Sequence, residues 1–440
     1  MFPSRSPLAP ARFLFASLAV LILAGSSFAT TEKMVYGFTG QPDGVSPNAA
    51  LVADAVGNLY GTTAFGGTDP RCSCGTVFEL SPPATAGGAW TENILYSFQG
   101  GDSDGTRPTG TLTFDAQGNL YGTTRSGGSS NRGTIFEISP PATAGGAWTE
   151  TVLFVFPADL SKGYGPAGKL VFDAAGNLYG TTSSGGSKCD CGTVFELKAP
   201  TSAGGAWTHV VLHNFGPFLT GSDGIYPGPD IIYRNGVIYG VTDYGRGTSQ
   251  NGTVFQLVRK PGTWTENILY RFTVSGGAGP LGGLVLDPAG NLYGTTSGGG
   301  SANCAPGCGT IYELSPPAVA GGAWQETILY SFLAHGDGAY PFATLWRNSL
   351  GDLYGTASRG GIRNNFNPAG AGTVFKLKAP ASTGGAWTLA VLHDFDYPAT
   401  GDGSFPTGAL TMLNGVFYGT TTTGGANTFS DYGAVFSVVP

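Results

Sequence analysis

Short runs in which apolar and polar residues alternate follow one another along nearly the whole chain, separated by glycine-rich words. Leu112 to Asp115, Asn119 to Thr124, Gly133 to Ile138 and Trp148 to Phe156 make one such set. The run GTIFEI has the period of two of a β-strand, and the words between runs carry turn residues rather than helix starts. The set recurs. The word LYG or a near variant stands at Tyr60, Tyr121, Tyr179, Tyr239, Tyr293, Tyr354 and Tyr418, with neighbours between 54 (Tyr239 to Tyr293) and 64 (Tyr354 to Tyr418) residues apart. A period of that length marks a repeat architecture in which each copy is one supersecondary unit.

The connection between the first two runs has an internal check. Most copies use Asp-x-x-Gly-Asn, as at Asp115, Gly118 and Asn119, whereas two use the shorter pairs Asn235-Gly236 and Asn414-Gly415. Asn-Gly closes a two-residue type I′ hairpin because both central residues take positive φ. A helix could not absorb that exchange, so the two runs pair antiparallel. Four such strands repeated seven times predict an all-β, seven-bladed propeller of four-stranded antiparallel blades. The seventh copy ends after its third run, Gly433 to Val438, and Thr30 to Phe38 (TTEKMVYGF) aligns with the fourth run WTENILYSF. The N-terminal strand is therefore expected to complete the last blade and lock a closed ring, in preference to an open array or a β-helix, leaving no terminal edge.

The strand order separates two faces. The run after each Pro-x-Gly (Gly110, Gly168, Gly408) is expected innermost, where small residues relieve crowding. Connections from second to third strand and from blade to blade then share one face. The other face holds the nearly invariant SPPATAGGA, Ser81 to Ala89 and Ser139 to Ala147. Near-identity suits a structural clasp, and variable loops on a rigid scaffold suit recognition.

Composition sharpens this. Gly numbers 74 and Pro 29, yet 41% of residues are hydrophobic and 12% aromatic, which a disordered chain would not have. Charged residues are 11% and the net charge is -7, with no Lys/Arg run, so nucleic acid is not an expected partner. Arg5 and Arg12 precede an apolar run from Phe13 to Ala24, and Ser27-Phe28-Ala29 places small residues for a signal peptidase. The expectation is a signal peptide over 1–29, cleaved before Thr30, and a single propeller domain over 30–440, secreted or periplasmic, monomeric, with no transmembrane segment.

The series GNLYGTT, GTVFEL, GGAWTE resembles the GloVer tandem-repeat family of secreted bacterial proteins over essentially all of Thr30 to Pro440. GNLYG is also similar, more weakly, to the strand-turn word of NHL-type propellers. The resemblance implies an exported propeller-like array and supplies no catalytic residues. Related proteins often end in an anchoring tail, whereas this chain ends on the strand-like Val438-Val439-Pro440.

Six cysteines fall as Cys72/Cys74, Cys189/Cys191 and Cys304/Cys308, each pair in the loop before GTVFEL or GTIYEL. In an exported chain they are expected to form three disulfides within their own loops, with metal binding the alternative. An Asp-Gly word precedes the inner strand at Asp43, Asp104, Asp223, Asp337 and Asp402, while Lys162 and Gly276 stand at the other two positions. Five carboxylates around the channel mouth could hold Ca²⁺ or a polyol; no other cofactor is implied. The structural alternative is that each Asp fixes its turn by accepting a backbone hydrogen bond. His213 and His393 replace the Tyr of ILYSF on the fourth strand, with His209 on the same strand as His213. His335 lies two residues from Asp337 in a recognition-face loop, the spacing of a candidate general-base pair. Trp90, Trp148, Trp207, Trp264, Trp324 and Trp387 are expected to pack between blades, and Trp346 to sit in an inner strand.

The longest variable loop, Ser358 to Ala371, centres on Asn364, Asn365 and Phe366. Known nucleophile, zinc-protease and phosphate-loop words are lacking. The function expected is therefore a non-catalytic binding scaffold for a protein or glycan at the cell surface or outside the cell. The alternative is an extracytoplasmic hydrolase or lyase acting on carbohydrate or lactone.

Overall fold

A computed structural model describes residues 32–440 except 86, 144, 203, 217–222, 246–250, 301–306, 320, 335, 364–367, 383, 398–401 and 426–430. Seven small antiparallel sheets form a ring, a seven-bladed β-propeller, and one short 3₁₀ turn at Leu160–Lys162 is the only helical element among the described residues. Blade 2 shows the plan. Its inner strand comes in two pieces, Gly105–Pro108 and Thr113–Phe114, followed by Leu120–Gly127, Thr134–Ser139 and the outer strand Thr149–Val155. The later three runs agree with the sequence pattern. The piece Gly105–Pro108 is additional: its Gly and Pro read as a turn, yet it pairs with the far end of Leu120–Gly127.

The middle strands are buried on both faces and the outer strands on one. In blade 1, Val77, Phe78 and Leu80 of Thr76–Ser81 are fully buried, while the outer strand Thr91–Ser97 alternates exposed and covered positions. A strand flanked by neighbours needs apolar side chains both ways, whereas an outer strand faces water on one side. Gly61 lies opposite Phe78, and a Cβ there would meet the ring within 2.6 Å. The LYG glycine therefore lets the third-strand aromatic lie flat over its neighbour.

The core is divided into clusters, each shared by two adjacent blades. Tyr60, Val77 and Leu95 of blade 1 pack with Leu112, Leu120, Phe136 and Ile138 of blade 2. The Trp that begins an outer strand meets the LYG tyrosine of the preceding blade, as in Trp148 on Tyr60, Trp207 on Tyr121 and Trp264 on Tyr179. Trp90 meets Tyr418 in the same way, so blade 7 adjoins blade 1. Glu32–Gly37 pairs antiparallel with Ala434–Val438 and stands as the outer strand of blade 7. Trp346 lies on the inner strand of blade 6, edge to face with Tyr354 and Phe417.

The turns carry their own hydrogen bonds. Asp54 Oδ1 accepts from the backbone N–H of Val56, Gly57 and Asn58, and its Oδ2 from the Asn58 amide and the Tyr60 hydroxyl. Blade 6 exchanges the two side chains, with Asn348 first and Asp352 last, and keeps the Asn-to-Asp bond. Asn235 and Gly236 have φ of 52° and 77°, and Asn414 and Gly415 have 51° and 82°, the signs of a type I′ turn.

One residue with left-handed backbone recurs at every joint. The residue before the inner-strand proline has positive φ in all seven blades: Ser46, Arg107, Gly165, Tyr226, Gly279, Tyr340 and Phe405, with φ between 55° and 64°. Its N–H donates to a carbonyl of the preceding blade, as from Arg107 to Cys74, Tyr226 to Cys191 and Tyr340 to Cys308. A left-handed conformation costs a side-chain-bearing residue about 1 kcal/mol or more. The hydrogen bond across the joint offsets that cost.

Candidate functional site

Each joint between blades holds a polar corner built from three positions: an aromatic near the end of one outer strand, the Asp of the following connection, and a Glu near the start of the next outer strand. At blades 7 and 1, Tyr36 donates to Asp43 at 3.1 Å, and Asp43 also accepts from the N–H of Thr39 and Gly44. At blades 1 and 2, Tyr96 donates to Asp104 at 3.1 Å, and at blades 5 and 6, where Leu389 takes the place of the Glu, Tyr330 donates to Asp337 at 2.9 Å. Burial, with the neighbouring aspartate adding to it, pushes Glu92 up to about 7 and Glu150 up to about 8.

The other joints vary as units. At blades 2 and 3 the triple is Phe154, Lys162 and His209. The Phe154 and His209 rings stack at 4.4 Å, and burial followed by the Lys162 charge lowers His209 to about 3. At blades 4 and 5, where Gly276 replaces the Asp, Tyr270 donates directly to Glu326 at 2.6 Å. At two joints histidine replaces tyrosine. His213 Nε2 lies 3.4 Å from Asp223 and 3.7 Å from Glu266, and His393 Nε2 lies 2.8 Å from Asp402. The ligand atoms of His213, Asp223 and Glu266 fall within 4.8 Å of one another, as do those of Glu32, His393 and Asp402.

This placement corrects the expected ring of carboxylates at the channel mouth. Asp43, Asp104, Asp223, Asp337 and Asp402 are drawn to aromatic or imidazole partners on outer strands, and none lines the axial cavity. The physical reason is donor supply: the following glycine N–H and the neighbouring blade's Tyr or His reach the carboxylate there. His213 and His393 occupy outer strands as their alignment with Tyr indicates. His335, Asn364, Asn365 and Phe366 lie outside the described residues, as does Cys304. Cys72 and Cys74 have Cα atoms 5.1 Å apart, and Cys189 and Cys191 5.2 Å, spans that suit a disulfide.

Cavities lined by described residues lie along the ring. The axial one holds about 80 Å³ and takes lining residues from all seven blades, among them Ala49, Thr109, Ala167, Asp230, Gly282, Ala343 and Gly408. It is narrow because the Pro-x-Gly segments abut: a Cβ on Gly168 would overlap the Pro229 carbonyl. Asp230, which no repeated word singles out, accepts from the Lys169 N–H at 3.1 Å and from the Thr344 hydroxyl of blade 6 at 2.8 Å. A groove of about 320 Å³ is lined by Lys198, Arg259, Lys260 and Trp264. It flanks the tight hairpin Lys260 to Thr263, where blade 4 lacks the clasp word, and that missing word was its sequence signal. The third cavity, about 420 Å³, opens onto Glu32, His393, Asp394, Asp396 and Asp402.

The Gloeobacter/Verrucomicrobia repeat model matches residues 23–171, 142–369 and 245–440, and the chain belongs to that family. No curated protein matches the sequence. Among solved structures, a Bacteroides uniformis protein provisionally assigned as a 6-phosphogluconolactonase aligns at 13% identity and TM-score 0.47, over 83% of this chain and 96% of that one. PorZ, a surface component of the type-IX secretion system of Porphyromonas gingivalis, aligns at 14% and 0.48, over 89% of this chain and 46% of that one. A polysaccharide lyase acting on ulvan aligns at 10% and 0.45, over 92% and 95%. Among the described residues no helix is long and apolar enough to cross a membrane.

Proposed function

We propose that this Gloeobacter/Verrucomicrobia repeat protein is an exported, non-catalytic propeller that binds a protein or glycan outside the cytoplasm through the loops of one face. The observation that carries the reading is the contrast between the two ends of the blades. Every blade shares the second, third and outer strands and the left-handed residue before proline, and five carry a version of the clasp. The connections from second to third strand differ throughout, from Arg125 to Arg132 in blade 2 to Ser358 to Ala371 in blade 6. Rigid supports with variable tips concentrate recognition at the tips. The axial cavity, at about 80 Å³, is well below the roughly 300–1,000 Å³ of a small-molecule site, which favours peripheral over axial binding.

The test is a glycan array and a protein pull-down with residues 30–440, run beside a broad hydrolase panel. Exchange of Ser358 to Ala371 for Arg125 to Arg132 is expected to leave folding intact and weaken the binding found. Turnover that survives chelation and disappears in Glu32→Gln overturns the non-catalytic part of the proposal. Affinity that is untouched by the loop exchange and abolished by replacing Ser81 to Ala89, in folded protein, assigns recognition to the opposite face.

A further inference from the structure

We infer that Glu32, His393 and Asp402 form a site for one first-row divalent cation of the Zn²⁺ type, clipping the N-terminal strand to blade 6. Three elements supply the ligands: Glu32 the outer strand of blade 7, His393 the outer strand of blade 6, and Asp402 the connection between them. Their donor atoms already lie within 4.8 Å of one another. Imidazole plus carboxylates is a ligand set that zinc accepts, with water completing a tetrahedron.

Four further observations favour this corner. His393 is held edge-on against Phe395 at 4.6 Å and turns Nε2 toward Asp402. Asp402 Oδ1 is tied to the Gly403 N–H, so its Oδ2 is the atom presented to the imidazole. Glu32 Oε1 is buried and makes no hydrogen bond, a donor atom without a protein partner. The adjoining cavity of about 420 Å³ provides an entry path and room for water, and its carboxylates Glu32, Asp394, Asp396 and Asp402 face a single lysine, Lys33. A tetrahedral ion with bonds of about 2.0–2.1 Å holds its ligands about 3.3 Å apart. The Nε2 to Oδ2 distance of 2.8 Å must therefore open slightly as the cation displaces the proton shared there.

The repeat supplies internal controls. At the Tyr36 and Tyr96 joints a hydroxyl stands where the imidazole would, and a neutral phenol is a poor ligand. At the His213 joint Lys188 Nζ already lies 3.4 Å from Asp223, and Arg271 acts on Glu266, so that corner carries its own cations. Among the described residues His393 is the only ion-pair partner of Asp402.

The experiment is calorimetric titration of untagged, metal-stripped residues 30–440 with Zn²⁺ alone and with Ca²⁺ alone, together with melting curves in Zn²⁺ or chelator. The wild type is expected to bind one Zn²⁺ per chain and to melt higher with it. His393→Tyr installs the residue used at the Tyr36 and Tyr96 joints. It should match the wild-type melt in chelator while losing Zn²⁺ affinity by about 100-fold. Glu32→Gln should also weaken binding, and His213→Tyr should leave it unchanged. No Zn²⁺ binding in the wild type, equal affinity in His393→Tyr, or loss in His213→Tyr alone overturns the site. Binding of Ca²⁺ in preference to Zn²⁺, insensitive to His393→Tyr, overturns it as well, since the imidazole would then be no ligand.

Discussion

Thr420 donates its hydroxyl to the carbonyl of Ala49 at 2.9 Å, across 371 positions of sequence. The same bond joins Thr123 to Gly168 at 3.4 Å, Thr181 to Gly228 at 2.9 Å and Thr356 to Gly408 at 3.3 Å, between neighbours in sequence order. The junction of the last blade with the first is thus built from the parts of an ordinary joint. Thr411 adds a bond to the Leu51 carbonyl, and Phe38 packs edge to face on Phe78 of blade 1 at 5.2 Å.

If Glu32–Gly37 holds this junction, deleting Thr30 to Phe38 exposes the edge of Ala434–Val438 and removes Phe38, which is 2% exposed. Loss of a buried Phe alone costs about 3–5 kcal/mol, and an open edge invites pairing with other chains. The deletion is expected to aggregate or to lose cooperative melting. A melting curve identical to the wild type in calorimetry would show that the strand plays no part in closing the ring.

The strained residues before proline give a prediction of opposite sign. Ser46 has φ of 56° and donates its N–H to the Tyr432 carbonyl, a bond that glycine keeps. Ser46→Gly is expected to raise stability by about 0.5–1 kcal/mol, because the strain relieved exceeds the added chain entropy. Gly165→Ala, at φ of 64°, should lower it by a similar amount. Chemical denaturation of both variants checks the pair of signs; a loss in the first would show that the joint does not strain its residue.

The Tyr96, Asp104, Glu150 corner carries a pH prediction. The folded protein retains the Glu150 proton to about pH 8, whereas the unfolded chain releases it near 4.5. Asp104 is displaced in the same direction, chiefly by burial. A carboxyl whose folded value is raised loses its favourable contribution as the pH climbs between the two values. Glu150→Gln never ionises, so it should melt close to the wild type at pH 5 and above it at pH 8.5. His209 has the opposite sign, since it is held neutral down to about 3 and penalises the fold below 6.5. His209→Phe is accordingly expected to gain on the wild type as the pH falls from 7 to 5. Melting temperatures across this range test both, and parallel curves for either variant would remove its acid or base from the account.

The cysteine pairs make a chemical prediction. The carbonyls of Cys74, Cys191 and Cys308 each receive the stitch from the next blade, so a bridge within the loop would hold that acceptor in place. Exported protein is expected to show no free thiol and to gain about 6 Da on full reduction, two hydrogens per bridge. Peptide mapping should join Cys72 to Cys74, Cys189 to Cys191 and Cys304 to Cys308. A link between copies, or stoichiometric zinc on these thiols, would replace this pairing.

Much of the architecture was legible from local pattern because each blade is specified by signals a few residues apart. Alternation in GTVFEL, the exchange of Asp-x-x-Gly-Asn for Asn-Gly, and the count of seven third strands act within one hairpin or by simple repetition. The N-terminal run could be matched to its place because it resembles the other outer strands. The broken inner strand was hidden, since Asp-Gly-Thr-Arg-Pro reads as a turn until the neighbouring strand pairs with it. The joint corners were hidden for a deeper reason. Tyr96 and Asp104 are close in sequence, but Glu150 belongs to the next outer strand, and Glu32 reaches His393 and Asp402 from the other end of the chain. Burial between blades then decides which carboxyl keeps its proton and which histidine stays neutral. Local sequence determines strands and turns because their hydrogen bonds and alternation are short-range; the joints, the narrow axial cavity and the Glu32, His393, Asp402 corner exist only once packing brings separate blades to one point and excludes water from it.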